Sequence, residues 1–240
     1  MAKKNVIIIG ASSGIGKELA KVFSGKGYVV GITARRLEML SEVKKELPSI
    51  SFMKRMDVAI PEEAMGILEG LINEMGGIDI IVISAGIGFI NSDLTWEKEK
   101  STIDVNVAGF MAMANVAMKH FIRQGSGHIV GISSIAAIRG DSSAPAYSAS
   151  KAFMSNYLEA LRFKVKKMKV PIAVTDIQPG FVDTKMAQGD GLFWVAPVEK
   201  AAMQIFDVIK NKKEHAYITK RWRFIAWILK IIPGRILAKF

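Results

Sequence analysis

The 240-residue chain has no cysteine, which excludes disulfides and thiolate-held metal ions. Histidine is scarce too. His120, His128 and His215 lie in unrelated segments without the spacing of a ligand set, so no metal site is predicted. Internal repeats and low-complexity linkers are absent, and half of the residues are hydrophobic, which suits one domain with a full core. Acid is missing from one stretch in particular: no carboxylate stands between Glu18 and Glu38. The apolar run after Met1-Ala-Lys-Lys is short and ends in a glycine-rich turn, so it reads as a first strand rather than a signal peptide. A cytoplasmic placement follows from that reading.

What is present begins with that strand. Asn5-Val-Ile-Ile-Ile9 is apolar and β-branched, the mark of a buried strand. It runs into Gly10-Ala-Ser-Ser-Gly14-Ile-Gly16 and then a helical stretch from Lys17 to Ser24. Glycines there let backbone approach a pyrophosphate, and the helix start supplies free N–H donors. Further strands are expected at 28–33, 51–56, 79–83, 127–132, 171–177 and 216–218. Helices are expected at 38–46, from Pro61 to about Gly76, at 95–123, from Tyr147 to Met168, and from Pro197 to Lys210. This alternation predicts an α/β fold: a single Rossmann-type, doubly wound parallel sheet with helices on both faces. Residues 1–210 read as the catalytic domain and 211–240 as a basic, amphipathic tail.

Tyr147 and Lys151 are four residues apart, so on a helix they share one face. A cation beside a phenol favours the phenolate and lowers a pKa that is otherwise near ~10, which suits general acid–base work. Ser134 stands thirteen positions before Tyr147. Asn106 lies in Asp104-Val-Asn-Val-Ala-Gly109, and Pro179-Gly180 is followed by Thr184. With these features in order over roughly residues 5 to 185, the chain resembles the short-chain dehydrogenase/reductase family. The resemblance implies four catalytic positions. Ser134 polarises the substrate carbonyl, Tyr147 transfers a proton, Lys151 holds the nicotinamide ribose and charges the site, and Asn106 places a water that links Lys151 to solvent. Ser133 competes with Ser134, but alternation along a strand lets only one face the cleft, and Ser133 is expected to satisfy backbone groups.

For the cofactor, the resemblance implies contacts from Gly10, Ser12, Ser13, Gly14, Ile15 and Gly16. Asp57 and Val58 would lie at the adenine, with Ser84, Ala85 and Gly86 after the fourth strand. Asn106, Tyr147 and Lys151, with Pro179, Gly180, Val182 and Thr184, complete the set. Ser84 and Ile9 depart from the family's usual asparagine and threonine, which ordinarily tie strand ends together. Ala34 occupies the place of the acid that binds the ribose of NAD, and Arg35 and Arg36 follow it. Arginine forks pair with phosphate oxygens, so NADP(H) is the expected cofactor. A module that senses NADP(H) without turnover is the rival reading, although such a module has no need of both Tyr147 and Lys151.

The expected lid, Asp183 to Ala196, carries Met186, Leu192, Phe193, Trp194 and Val195. Ile135, Ala136, Ala137 and Ile138, with Ile87, Phe89 and Ile90, add apolar wall. These residues suit a hydrophobic carbonyl substrate, such as a 3-oxoacyl or 3-keto lipid, a steroid ketone, or a carrier-bound oxoacyl group. Arg139 would stand at the pocket rim, where it could meet an anionic head or carrier, although a solvated arginine is the favoured reading. The resemblance further implies a homodimer or homotetramer, for which Phe110, Met111, Met113 and Phe153 suit an interface. The tail places eight Lys/Arg (Lys212, Lys213, Lys220, Arg221, Arg223, Lys230, Arg235 and Lys239) against Glu214 alone, which is +7 of the chain's +11. On a helical wheel Arg223, Ala226 and Lys230 form a narrow stripe amid Trp222, Phe224, Ile225, Trp227, Ile228, Leu229, Ile231 and Ile232. This run falls short of the ~20 residues that span a bilayer. It predicts instead a helix in the headgroup plane of an anionic membrane surface, with 220–240 as the contact and the inner membrane face as its place. Packing on the domain or on a partner subunit is the alternative. Nucleic acid is not an expected partner, since no second basic patch or reading motif is present.

Overall fold

The structure is a computed structural model and describes residues 3–187 and 192–237. Residues 188–191 of the expected lid and Lys239 of the tail lie outside the described residues. In chain order the elements are β1 Asn5–Ile9, α1 Gly14–Gly25, β2 Val29–Ala34, α2 Leu37–Lys45, β3 Ser51–Arg55, α3 Pro61–Glu74 and β4 Ile80–Ile83. They continue with α4 Trp96–Ile103, α5 Phe110–Gln124, β5 Gly127–Ile132, α6 Pro145–Met168, β6 Ile172–Pro179, α7 Val198–Lys210, β7 His215–Ile218, α8 Trp222–Ile231 and α9 Gly234–Leu237. All seven strands are parallel, in the order β3-β2-β1-β4-β5-β6-β7. Chain order reverses between β1 and β4, so a crevice opens at their carboxyl ends.

Because side chains alternate across a strand, each central strand feeds two cores. Ile7, Ile9, Ile81, Ile83 and Ile129 join Leu68, Phe110, Phe121 and Leu158 on one face. Val6, Ile8, Val82, Val130 and Ile132 meet Leu19, Phe23, Ile205 and Ile209 on the other. Two helical layers are thereby fixed, with the crevice along the edge where the strands end. The strand ends stay tied despite Ile9 and Ser84, through the backbone bond from Ser84 N to Ile9 O (2.9 Å). Phe110 and Met113 are wholly buried in the chain's own core, so they are not interface residues. Their apolar character suited an interface, but the inner side of α5 is already occupied by α3 and the sheet.

The stretch expected as one helix from Thr95 to Arg123 is continuous but not uniform. Between α4 and α5 the residues Asp104–Gly109 form a π-helical turn. Extra residues of this kind swell a helix locally and turn a side chain out of register, often at functional sites. Here the turn carries Asn106.

Among buried polar groups, His128 on β5 faces Thr175 on β6, Nε2 to Oγ1 at 2.7 Å. The Thr175 hydroxyl spends its one proton on Lys213 O (2.6 Å), so Nε2 of His128 carries the proton and donates. Burial, aided by Lys212, lowers the His128 pKa from 6.5 to about 4. The fold therefore binds the neutral ring, and the stability this represents is intact above pH 6.5 and lost as the pH falls towards 4. His128→Gln keeps an N–H donor without a titrating ring. In urea unfolding the wild type is expected to lose about 3 kcal/mol more than this variant between pH 7 and pH 4.

Candidate active site

The carboxyl ends of β1, β4, β5 and β6 supply the site. After β1, Gly10 lies against the next loop, where an added Cβ would stand 2.5 Å from the Ala85 nitrogen. Gly14 adopts φ +56, a left-handed conformation that other residues resist. A Cβ on Gly16 would strike the carbonyl of Gly10, so the loop must be glycine there to pass beneath its own backbone. α1 then starts at Gly14 with Ser13 as its N-cap, yet the Ser13 side chain makes no capping bond and no acid stands in the first turn. Its leading N–H groups are left for an anion, and a nucleotide pyrophosphate fits this cradle. Thr184 closes over the loop, with its methyl carbon 3.2 Å from where a Gly14 Cβ would be.

On the adenosine side, Ala34 is buried at the end of β2, while Arg35 and Arg36 are exposed. The Arg36 guanidinium turns back to Ser12 Oγ (3.3 Å) and Ser13 Oγ (3.5 Å), so its charge sits at the mouth of the glycine loop. The Arg35 carbonyl accepts from Arg55 Nε (3.2 Å). Asp57 Oδ1 accepts from the Ala59 amide (3.0 Å), which holds the turn after β3, and Val58 is buried against Gly109.

Three candidate side chains meet near Gly86. A Cβ on Gly86 would lie 3.3 Å from both Asn106 Oδ1 and Lys151 Nζ, and one on Gly88 would press the Tyr147 ring at 2.6 Å. Glycine at both positions makes room for the cluster; Gly88 was not singled out in the sequence, although its spacing two residues after Gly86 was the available signal. Lys151 is buried and donates to Ile132 O (3.0 Å), with its ammonium 5.7 Å from the Tyr147 ring centre. Asn106 works on the protein itself. It accepts from Ile87 N (2.9 Å) and donates to Ile87 O (2.7 Å) and Ser150 Oγ (2.9 Å), clamping the loop after β4 to α6.

Ser134 Oγ accepts from Ala136 N (3.1 Å), which leaves its proton free, and its hydroxyl faces Tyr147. Ser133 points the other way, to Asp176 and to Ile177 O (3.0 Å), so it binds a side chain as well as backbone. Asp176 was missed. It is a buried carboxylate within an apolar strand, itself a readable anomaly, and it collects Ser133, Ser155 and Gln178. Two further expectations need correction. Burial raises the Tyr147 pKa, and the bond from Ser134 offsets this only in part, so the protein's own groups keep the phenol protonated rather than lowering it. Arg139 is not free at a rim. Its guanidinium caps α8, donating to Leu229 O (2.7 Å), Lys230 O (3.4 Å) and Ile232 O (2.8 Å).

The segment after β6 is held from outside. Pro179 ends β6, Val182 bridges to Ala196, and Gly180 donates to Ile218 O (2.6 Å). The space a Gly180 side chain would take is filled by the Trp222 indole. Trp222 is buried and meets Phe181, Phe193 and Trp194 at ring-centre distances of 5.3, 5.1 and 6.1 Å.

Comparison with known proteins places this architecture. A family model described as short chain dehydrogenase matches residues 4–191. An uncharacterised oxidoreductase of Mycobacterium tuberculosis is 34% identical across the whole chain and 98% of its own length. A serine dehydrogenase complexed with NADP+ superposes with TM-score 0.77 at 27% identity, covering 85% of this chain and 88% of that one. A short chain dehydrogenase/reductase from Burkholderia phymatum in complex with NAD reaches TM-score 0.84, covering 94% of this chain and 92% of that one. At 16% identity it shows the fold alone.

Burial lowers the Lys151 pKa from 10.5 to about 8, with the Asp176 carboxylate pulling the other way. The cost of holding that charge is therefore present below pH 8 and relieved as the pH rises from 8 to 10.5. Lys151→Met is expected to unfold at higher urea than the wild type at pH 7, with the difference narrowing by about 3 kcal/mol by pH 10.5.

Proposed function

The chain belongs to the short-chain dehydrogenase family, and on that premise we propose that it is an NADP(H)-dependent oxidoreductase interconverting a hydrophobic ketone and its secondary alcohol. The observation that carries this reading is the convergence of Asn106, Tyr147 and Lys151 on Gly86 and Gly88, with Ser134 facing the phenol. Bound NADPH supplies a hydride to the carbonyl carbon. The protein's part is to manage the oxygen. Ser134 donates a hydrogen bond as negative charge grows there. Tyr147, kept protonated by burial, then delivers the proton that completes the alcohol. Lys151 remains mostly charged below pH 8 and stabilises the phenolate left behind.

Residues 1–210 carry cofactor and chemistry in this reading, and 211–240 form the basic tail. Gly10, Ser12, Ser13, Gly14, Ile15 and Gly16 would hold the pyrophosphate. Asp57, Val58, Ser84, Ala85 and Gly86 would lie along the adenosine and nicotinamide ribose, and Pro179, Gly180, Val182 and Thr184 would close over the nicotinamide. NADP(H) is favoured by the absence of an acid at Ala34 and by the position of Arg36 beside Ser12 and Ser13. The hydrophobic substrate class rests on exposed Phe89, Ile90, Met186, Phe193, Trp194 and Val195 around the cleft. A homodimer or homotetramer through α5 and α6 is proposed as well, with Met111 and Phe163 accessible on those helices. No described helix is long and apolar enough to cross a membrane. We place the protein in the cytoplasm, with the tail at an anionic membrane surface.

Tyr147→Phe removes the transferable proton alone. Its turnover of any accepted ketone is expected to fall by about a thousandfold, with NADPH affinity by fluorescence titration unchanged. Retained activity would refute the assignment.

Arg36→Ala is expected to lower kcat/KM for NADPH by about tenfold or more while leaving that for NADH alone, since a charge-assisted contact to the 2′-phosphate would be lost. Equal efficiency of the wild type with both cofactors would remove the basis for NADP(H).

A further inference from the structure

α8 is built inside out for a helix of a water-soluble domain. Its inward face consists of Trp222 and Ala226, both buried, which places Ala226 on the packing side and not in the polar stripe expected for it. Its outward face carries Phe224, Trp227, Ile228 and Ile231, which are 61%, 64%, 45% and 59% exposed. Spaced i, i+3, i+4, i+7, they form one continuous apolar stripe. Packing of the tail on the domain thus accounts for one face of α8 and leaves the more hydrophobic one uncovered.

The setting of that stripe selects its partner. Lys220, Arg221, Arg223 and Lys230 flank it, and Arg235 follows in α9. None of these cations is paired with a carboxylate among the described residues. Two copies of the chain meeting through α8 would bring those like charges together. An anionic lipid surface satisfies both features, since headgroups take the cations and the acyl boundary takes the aromatic stripe. Ten residues of helix extend only ~15 Å, half of a hydrocarbon core, so α8 can lie in the interface and cannot span it.

α8 is also wired to the site. Trp222 fills the place beside Gly180, on the segment that closes the cleft. Arg221 donates to Trp194 O (2.7 Å) and stacks on the Trp194 ring. At the far end of α8, Arg139 ties its last carbonyls to a groove of about 490 Å³ lined by Ala137, Ile138, Pro145, Ala149 and Ala152, just past Ser134. The exposed lid residues Phe193 and Trp194 thus abut the start of α8 on the side of Trp222 and Arg221, about one helix thickness from the stripe.

We propose that the exposed face of α8 docks the protein on an anionic lipid bilayer, and that the hydrophobic carbonyl substrate enters the site from that bilayer. The substrate half rests on the oxidoreductase reading above; the docking half does not.

The test uses the full chain and the double variant Trp227→Glu/Ile231→Glu, which alters the outward stripe and leaves Trp222 and Ala226 in place. Co-sedimentation is measured with vesicles of phosphatidylcholine, pure or with about one third phosphatidylglycerol. The intact protein is expected to bind only the anionic vesicles, more weakly as salt rises, and the variant to bind at least about tenfold less. Equal binding to neutral vesicles, binding by neither, or undiminished binding by the variant would overturn the docking surface. So would a change in oligomeric state between the two proteins in sedimentation equilibrium without lipid, which would make the stripe an interface between copies. For the entry route, NADPH oxidation is followed with a long-chain ketone dissolved in the vesicles and with a short water-soluble ketone. The variant should lose about tenfold on the first and nothing on the second. Equal rates on the vesicle-borne ketone would overturn the route. No turnover of either ketone by the intact protein would overturn the oxidoreductase reading and the route with it, while vesicle binding would still stand for the docking surface.

Discussion

A charged ammonium held out of water is the constraint around which this site is arranged. Lys151 comes from α6, but α6 offers its ammonium only a weak acceptor, the Met154 sulfur at 3.6 Å. Its hydrogen bond goes to the last carbonyl of β5, and the nearest help from an opposite charge is Asp176 on β6. A buried charge without such partners costs several kcal/mol, so helix α6 has to sit at one height and one rotation against the strand ends. Gly86 and Gly88 follow from the same demand. Any side chain there would compete with Lys151, Asn106 and Tyr147 for a space already full.

The second fixed point is the π-helical turn at Asp104–Gly109. A regular helix from Trp96 to Gln124 would present its side chains at even intervals. The turn instead delivers Asn106 into the loop after β4, where it saturates both backbone groups of Ile87 and reaches Ser150. One amide thus joins α4–α5, the β4 loop and α6, three pieces that share no sheet hydrogen bonds. The position is well determined because the side chain is wholly buried and all three of its bonds are made.

Sheet and nucleotide cradle were legible in the sequence because their signals are local. Runs such as Asn5–Ile9 and Gly127–Ile132 have one reading, and the glycines at 10, 14 and 16 recur within seven residues directly after a strand. Tyr147 and Lys151 were found by spacing and Ser134 by the family resemblance, and both Ser134 and Lys151 lie at Tyr147. What escaped detection depends on long-range partners. Asp176 looks like an intruder in a strand until Ser133 and Ser155 come up beside it, and the true task of Arg139 is set by helix carbonyls 90 to 93 residues away. Phe110 and Met113 failed as interface candidates for the same reason, since apolar character cannot say which neighbour covers it. The phenol of Tyr147 was misjudged in direction because the sequence shows its cation but not its depth.

The Arg139 cap has a consequence in time. Segment 137–141 lies just past the middle of the chain, yet its guanidinium is satisfied only by carbonyls at 229, 230 and 232. During synthesis from the N-terminus, β1 to β5 can pair and bury their isoleucines long before those carbonyls exist. The loop after β5 can already pack on α6, with the Asp141 amide on Ser148 Oγ, but the Arg139 guanidinium gains these carbonyls only once α8 is made. The Arg139 cap and the indole beside Gly180 thus form later than the pairing of the first five strands. A nascent polypeptide arrested before α8 would hold most of its sheet and still leave Gly180 without the indole that covers it.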